Sequence, residues 1–104
     1  MSALVEFAMF PTDGEESKSE FVAKVLDLID RSGLEYRLTP MGTIIEAESL
    51  SEIFALIERA YEEMGAEHNR IYSVLKIDWR KGSVGRIGKK KASVEEKLGR
   101  KLNG

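Results

Sequence analysis

The chain has 104 residues, of which 42% are hydrophobic and 33% are charged, and its formal net charge is -2. These values predict one globular domain with a single core, and they exclude a disordered chain or two domains. The chain lacks the basic excess that drives non-specific nucleic-acid binding, and the absence of cysteine excludes disulfides, thiolate nucleophiles and thiolate metal ligands.

The N-terminal segment MSALVEFAMFPTDG lacks the charged start of a signal peptide. No stretch of the sequence approaches the roughly 20 apolar residues that span a bilayer. We therefore expect a cytoplasmic protein that does not associate with membranes.

The first half of the chain predicts a strand followed by a helix. Leu4 to Phe10 is rich in residues that favour β-structure and ends at Pro11, which suits the end of a strand. Ser17 and Glu20 then form a capping box, the S-x-x-E pattern that opens a helix. Apolar residues recur after it at helical spacing as far as Gly33.

The second half predicts a hairpin, a helix and a last strand. Residues 34–39 alternate in polarity, the Pro-Met-Gly turn at 40–42 reverses the chain, and residues 43–48 return as a strand. Ser49 and Glu52 form a second capping box ahead of an apolar stripe that ends at Gly65. Ile71 to Arg80 alternates as the final strand.

The order βαββαβ predicts an α+β, ferredoxin-like sandwich over residues 1–80, with a four-stranded antiparallel sheet and two helices on one face. Residues 81–104 form a separate basic segment in which we expect a flexible loop over 81–91 and a short C-terminal helix after a third capping box, Ser93 and Glu96. The loop is not a phosphate-binding P-loop, because five residues separate Gly82 from Gly88 where that motif requires four. A solvated linker is favoured over a phosphate or nucleic-acid contact.

Phasing each strand predicts which residues face away from the helices, because alternate side chains point to opposite faces. This second face combines apolar residues with charged ones: Leu4, Ala8, Phe10, Ile44, Tyr72 and Val74 with Glu6, Glu46, Lys76 and Asp78. Such a face is too apolar to remain wetted, so we expect another copy of the chain to cover it. Glu6, Glu46 and Lys76 could converge there, either as a Glu–Lys pair closing the interface, which is favoured, or as a pocket for a cationic or amino-bearing ligand.

Four segments resemble a known family: LVEFAMFPTD, SGLEYRLTPMGT, TIIEAES and the closing KIDWR. They are similar, over residues 3 to 80, to the small thiamine-binding proteins related to YkoF. The resemblance implies a ferredoxin-like subunit that forms dimers or tetramers through its sheets. It also implies binding of thiamine, or of its hydroxymethylpyrimidine part, with no catalysis and no required cofactor.

The predicted ligand site combines this resemblance with the strand phasing. The family motif supplies Gly42, Thr43 and Glu46, and the phasing supplies the remaining four residues: Glu6, Phe10, Tyr72 and Lys76. Carboxylates and aromatic rings would attract the aminopyrimidine and the thiazolium cation, while a threonine hydroxyl and a close glycine backbone would add contacts. Strand alternation sends Thr43 and Glu46 to opposite faces unless a bulge re-aims Thr43.

Two other functional classes remain open. The chain could be a small isomerase or lyase with Glu6 or Glu46 as general base, or a purely structural or regulatory oligomeric module. RNA binding is disfavoured because the first and third strands lack the exposed aromatic pattern of an RNA-recognition sheet. His68 is the single histidine and lies in the polar segment AEHNR, so we expect it at the surface, with no histidine dyad and no metal cluster.

Overall fold

The computed structural model describes residues 2–15, 17–82 and 85–103. Within these ranges the chain forms four strands and three helices: β1 Ser2–Pro11, α1 Lys18–Arg31, β2 Glu35–Thr39, β3 Gly42–Ala47, α2 Leu50–Gly65, β4 Ile71–Arg80 and α3 Arg86–Leu98. The sheet is antiparallel with the strand order β2-β3-β1-β4. The predicted ferredoxin-like βαββαβ arrangement is therefore confirmed, and none of the helices in the described part has the length and apolar character needed to cross a bilayer.

The first two helices begin where the sequence places their capping boxes. The Ser17 hydroxyl accepts a hydrogen bond of 3.1 Å from the Glu20 backbone N–H, and Ser49 accepts one of 3.3 Å from Glu52. Each bond satisfies a backbone donor that has no partner inside the helix. Both helices bury an apolar stripe on the same face of the sheet, while Phe54 and Tyr61 of α2 remain exposed.

The core lies between those helices and the odd-numbered residues of β1 and β3. Every second residue of β1 is buried: Ala3, Val5, Phe7 and Met9. Ile45 of β3 is also buried and is paired with Val5 in the sheet. The strand phasing predicted from the sequence is therefore confirmed. We call the opposite side the open face. It carries the even-numbered residues of three strands, which are residues 4 to 10 of β1, 44 and 46 of β3, and 72 to 78 of β4.

Helix α3 begins at Arg86, seven residues before the predicted capping serine, Ser93. The lysines at 89–91 are therefore helical, and the expectation of a flexible loop over 81–91 is corrected for this part of the segment. The start of α3 is held by contacts to distant residues: the Ile87 backbone N–H donates to Glu46 Oε1 at 3.3 Å, and Arg86 forms an ion pair of 2.9 Å with Asp78. Because Glu46 and Asp78 belong to the open face, α3 covers one end of that face.

His68 is buried, which corrects the predicted surface position. Its ring meets Phe21 edge-on at 5.4 Å between centroids, and its Nδ1 atom lies 3.3 Å from Asp13 Oδ1, so a histidine–carboxylate pair does form. The other oxygen of Asp13 accepts a hydrogen bond of 2.7 Å from the Asn69 backbone N–H, which lowers the pKa of Asp13. These contacts tie the β1–α1 loop to the α2–β4 connection.

Candidate ligand-binding cleft

A cleft of about 510 Å³ lies between α1, the β2–β3 turn and the C-terminal end of β1. We call it the α1–hairpin cleft. Its walls come from three segments, which are residues 7–10 of β1, residues 38–43 of the hairpin, and Lys18, Val22, Val25 and Leu26 of α1. Most of the lining is apolar, and the volume lies within the range of small-molecule sites, about 300 to 1,000 Å³.

The cleft exists because β1 is longer than the strand beside it. Residues Ala3–Phe7 pair with β3, whereas Ser2–Pro11 pair with β4, so Ala8–Pro11 have a strand partner only on the β4 side among the described residues. In an antiparallel strand, the N–H and C=O groups of alternate residues point to the same side. The cleft therefore contains a short strand edge with backbone donors and acceptors.

The turn that forms the second wall is fixed by its own hydrogen bonds. The Thr39 hydroxyl donates to the Gly42 carbonyl at 2.8 Å and accepts from the Met41 N–H at 3.2 Å. Gly42 also lies close to β1, because a Cβ atom at this position would stand 3.2 Å from the Phe7 carbonyl oxygen. Glycine thus lets the turn approach the strand and define one edge of the cleft.

Exposed apolar side chains surround the mouth of the cleft. Met41 is 84% exposed and Leu38 is 57% exposed, which is unusual for such large hydrophobic residues. Phe10 packs against Tyr72 with 5.3 Å between the ring centroids and the ring planes tilted by 39°, and Lys18 Nζ lies 5.1 Å from the Phe10 centroid. Lys18 is the one charged residue among those that line the cleft in the described part of the chain.

The structure brings three of the seven predicted site residues to this cleft. Phe10, Gly42 and Thr43 line it, and Tyr72 contacts Phe10 at the mouth. Thr43 is buried and pairs opposite Phe7, so it faces the helices as strand alternation requires. No bulge turns it toward the open face.

The charged candidates lie on the open face, in two places. Glu6 and Lys76 are opposite one another, with 3.6 Å between Oε1 and Nζ, beside a hollow of about 210 Å³. Glu46 instead lies beneath the start of α3 and is 7% exposed. Its Oε1 accepts from Ile87, while its Oε2 has no hydrogen-bond partner within the described residues. The Glu–Lys pair therefore forms without Glu46.

Sequence reasoning missed the contribution of α1 to the cleft. Val22 and Leu26 are one turn apart and line it, together with Lys18 in the first turn. The available signal was the spacing of Val22 and Leu26, which forms a second apolar stripe beside the one that enters the core. The described residues contain no group of three or more histidine, aspartate or glutamate side chains able to hold a metal ion.

Comparisons with known proteins identify relatives that cover nearly the whole chain. The family model described as thiamine-binding protein matches residues 5–95. The UPF0045 protein Mb1933 of Mycobacterium bovis is 35% identical over 98 residues, which are 94% of this chain and 96% of that relative.

Solved structures share the fold. Hypothetical protein MJ1052 of Methanocaldococcus jannaschii is similar with a TM-score of 0.79 and 27% identity, covering 91% of this chain and 97% of its own. TM0486 of Thermotoga maritima, provisionally described as a thiamine biosynthesis/salvage protein, has a TM-score of 0.78 at 20% identity, covering 90% and 99%. Because the family model spans most of the sequence and a relative above 30% identity covers nearly all of it, this chain belongs to the thiamine-binding protein family.

Proposed function

We propose that this protein binds thiamine or a related hydroxymethylpyrimidine compound in the α1–hairpin cleft and does not transform it. The observation that carries the proposal is a largely apolar cleft of about 510 Å³ with a strand edge along one wall. Membership of the thiamine-binding protein family supports the choice of ligand.

The chemistry of an aminopyrimidine suits this cleft. Its flat ring would pack among Phe10, Val22 and Leu26, where apolar contact and aromatic stacking favour burial. Its ring nitrogens and amino group would bond to the backbone edge of Ala8–Pro11, which offers both donors and acceptors. Thr43 lines the cleft, and its hydroxyl would supply one further polar group.

The location also suits a pocket beside a subunit interface. Tyr72 and Val74 on the open face are 51% and 42% exposed, and Tyr72 contacts Phe10 at the cleft mouth. A second copy seated on the open face would bury these side chains and approach the mouth. We propose a homo-oligomer, dimeric or tetrameric, assembled in this way.

Calorimetric titration with hydroxymethylpyrimidine and with thiamine tests the function. We expect saturable binding, and mass spectrometry should recover the ligand unchanged after prolonged incubation. Thr43→Val keeps the side-chain shape and removes the hydroxyl, so it should weaken binding by about 0.5 to 1.5 kcal/mol, the usual contribution of one hydrogen bond.

Glu46→Gln is the matched comparison, because Glu46 is the motif residue that the structure holds outside the cleft. The cleft proposal expects its affinity to equal that of the unaltered protein. Weaker binding in Glu46→Gln combined with normal binding in Thr43→Val would move the site to the open face. Absence of binding at millimolar ligand would refute the proposed function, and a chemically altered ligand would favour the enzyme alternative.

A further inference from the structure

The charged side chain that lines the α1–hairpin cleft is positive. Among the described residues that line it, Lys18 is the one ionisable side chain, and no aspartate or glutamate is present. The nearby carboxylates that sequence reasoning assigned to a ligand are engaged elsewhere, since Glu6 pairs with Lys76 and Glu46 accepts from the start of α3. Among the side chains that the structure describes around the cleft, a ligand therefore meets one positive charge and no negative one.

The aromatic surface at the mouth is already occupied by a cation. The Lys18 ammonium lies 5.1 Å from the centre of the Phe10 ring, within the distance at which an aromatic face attracts a positive charge. A cationic ring entering the same place would displace Lys18 from Phe10 and would also stand beside its charge. A phosphate group there would instead gain an ion pair with the ammonium.

We propose that Lys18 makes the cleft selective by charge, favouring neutral and phosphorylated pyrimidine compounds over the free thiamine cation. This inference rests on the proposed function, because it assumes that the cleft is the ligand site. The preferred ligands are pyrimidine compounds with no net positive charge at the end that faces the mouth of the cleft. Examples are hydroxymethylpyrimidine, its monophosphate and thiamine monophosphate.

The test compares four ligands by calorimetry: hydroxymethylpyrimidine, its monophosphate, thiamine and thiamine monophosphate. In the unaltered protein we expect the two phosphorylated compounds to bind about two- to fivefold more tightly than their unphosphorylated counterparts, the effect of one solvent-exposed ion pair. Lys18→Gln should remove this preference, and Lys18→Arg should restore it. Raising the salt concentration should reduce the preference in the unaltered protein, because added ions screen an exposed pair.

Lys24→Gln is the control, since Lys24 is a lysine of the same helix that forms an ion pair of 3.1 Å with Glu67 and does not line the cleft. This variant should keep the ligand ranking of the unaltered protein. An unchanged ranking in Lys18→Gln, or tighter binding of thiamine than of its monophosphate in the unaltered protein, would overturn the charge selection while leaving the cleft as the ligand site. Failure of all four ligands to bind would instead refute the proposed function itself.

Discussion

Arg86 connects α3 to β1 and β4 through a buried side chain. Its side chain is 7% exposed and donates to the Ser2 hydroxyl at 2.9 Å and to the Ser2 carbonyl at 3.2 Å. It also donates to the Asp78 carbonyl and forms an ion pair with the Asp78 carboxylate. Removing the guanidinium would leave the buried hydroxyl and carbonyl of Ser2 without this donor.

We predict that Arg86→Met lowers the free energy of unfolding by about 1 to 3 kcal/mol, because methionine keeps much of the apolar stem while the hydrogen bonds are lost. Denaturant unfolding followed by circular dichroism measures the change. Lys90→Met is the control, since Lys90 is an exposed lysine of the same helix, and its effect should stay within about 0.5 kcal/mol. Equal stability losses in the two variants would show that the Arg86 contacts contribute nothing specific.

At the scale of single residues, the sequence predicted strand faces well and long-range partners poorly. Glu6 and Lys76 could be placed opposite each other because period-two alternation and strand order determine both positions. The partner of Glu46 is a backbone N–H 41 residues away, and Arg86 contacts a serine 84 residues away. No local pattern in a run of basic residues identifies which one is buried.

The three predicted capping boxes show the same limit at the scale of elements. Ser17 and Ser49 are real N-caps, whereas Ser93 lies inside α3 and is exposed. Gly85 precedes α3 in a left-handed conformation, with a φ of 68°, and contacts from Arg86 and Ile87 to the sheet fix the start of the helix there. Tertiary contacts thus override a local capping signal.

We predict that Ser49→Ala lowers the free energy of unfolding by about 1 kcal/mol, because it removes the acceptor for the Glu52 N–H at the start of α2. Ser93→Ala, which alters the same motif inside a helix, should leave stability unchanged or raise it slightly, because alanine has the higher helix propensity. Thermal and denaturant unfolding of both variants provide the comparison. A loss in Ser93→Ala as large as that in Ser49→Ala would indicate that Ser93 caps a helix in solution.

The cleft depends on element lengths that the sequence predicted only approximately. The strand predicted over residues 43–48 is observed as Gly42–Ala47, and β1 extends beyond it to Pro11. The unpaired edge of β1 results from this difference in length, together with the position of the tight turn at residues 39–42. Residue propensity and alternation identify each strand. The length of the unpaired end of β1 depends instead on the residues at which the neighbouring strands end.

At the scale of the whole molecule, α3 divides the open face into a covered end and an uncovered end. Glu46 and Asp78 lie where α3 is anchored, while Tyr72 and Val74 at the other end remain exposed.

Charge is unevenly distributed along the chain, because residues 1–80 contain eight basic and sixteen acidic residues, and residues 81–104 contain eight basic and two acidic ones. Two modes of self-association follow from these features: apolar contact between open faces, or attraction between a basic tail and an acidic body.

Apolar contact between open faces would bury the exposed side chains beside the cleft. A single charge introduced there should therefore weaken the assembly. Val74→Glu places a carboxylate on the uncovered end, where a partner copy would have to bury it at a cost of several kcal/mol. We expect the unaltered protein to be a dimer or tetramer by analytical ultracentrifugation, and the variant to shift toward monomer.

Phe54→Glu introduces the same charge at an exposed aromatic residue of α2, on the opposite side of the sheet, and should leave the assembly intact. The salt dependence separates the two modes. Apolar contact between open faces should persist at 0.5 to 1 M salt, a range in which the Debye length falls to roughly 3 to 4 Å and attraction between tail and body is screened. A monomer at every concentration tested, or dissociation by salt with no effect of Val74→Glu, would rule out assembly through the open face. The cleft would then have to bind its ligand within a single subunit, with Met41 and Leu38 as its cover.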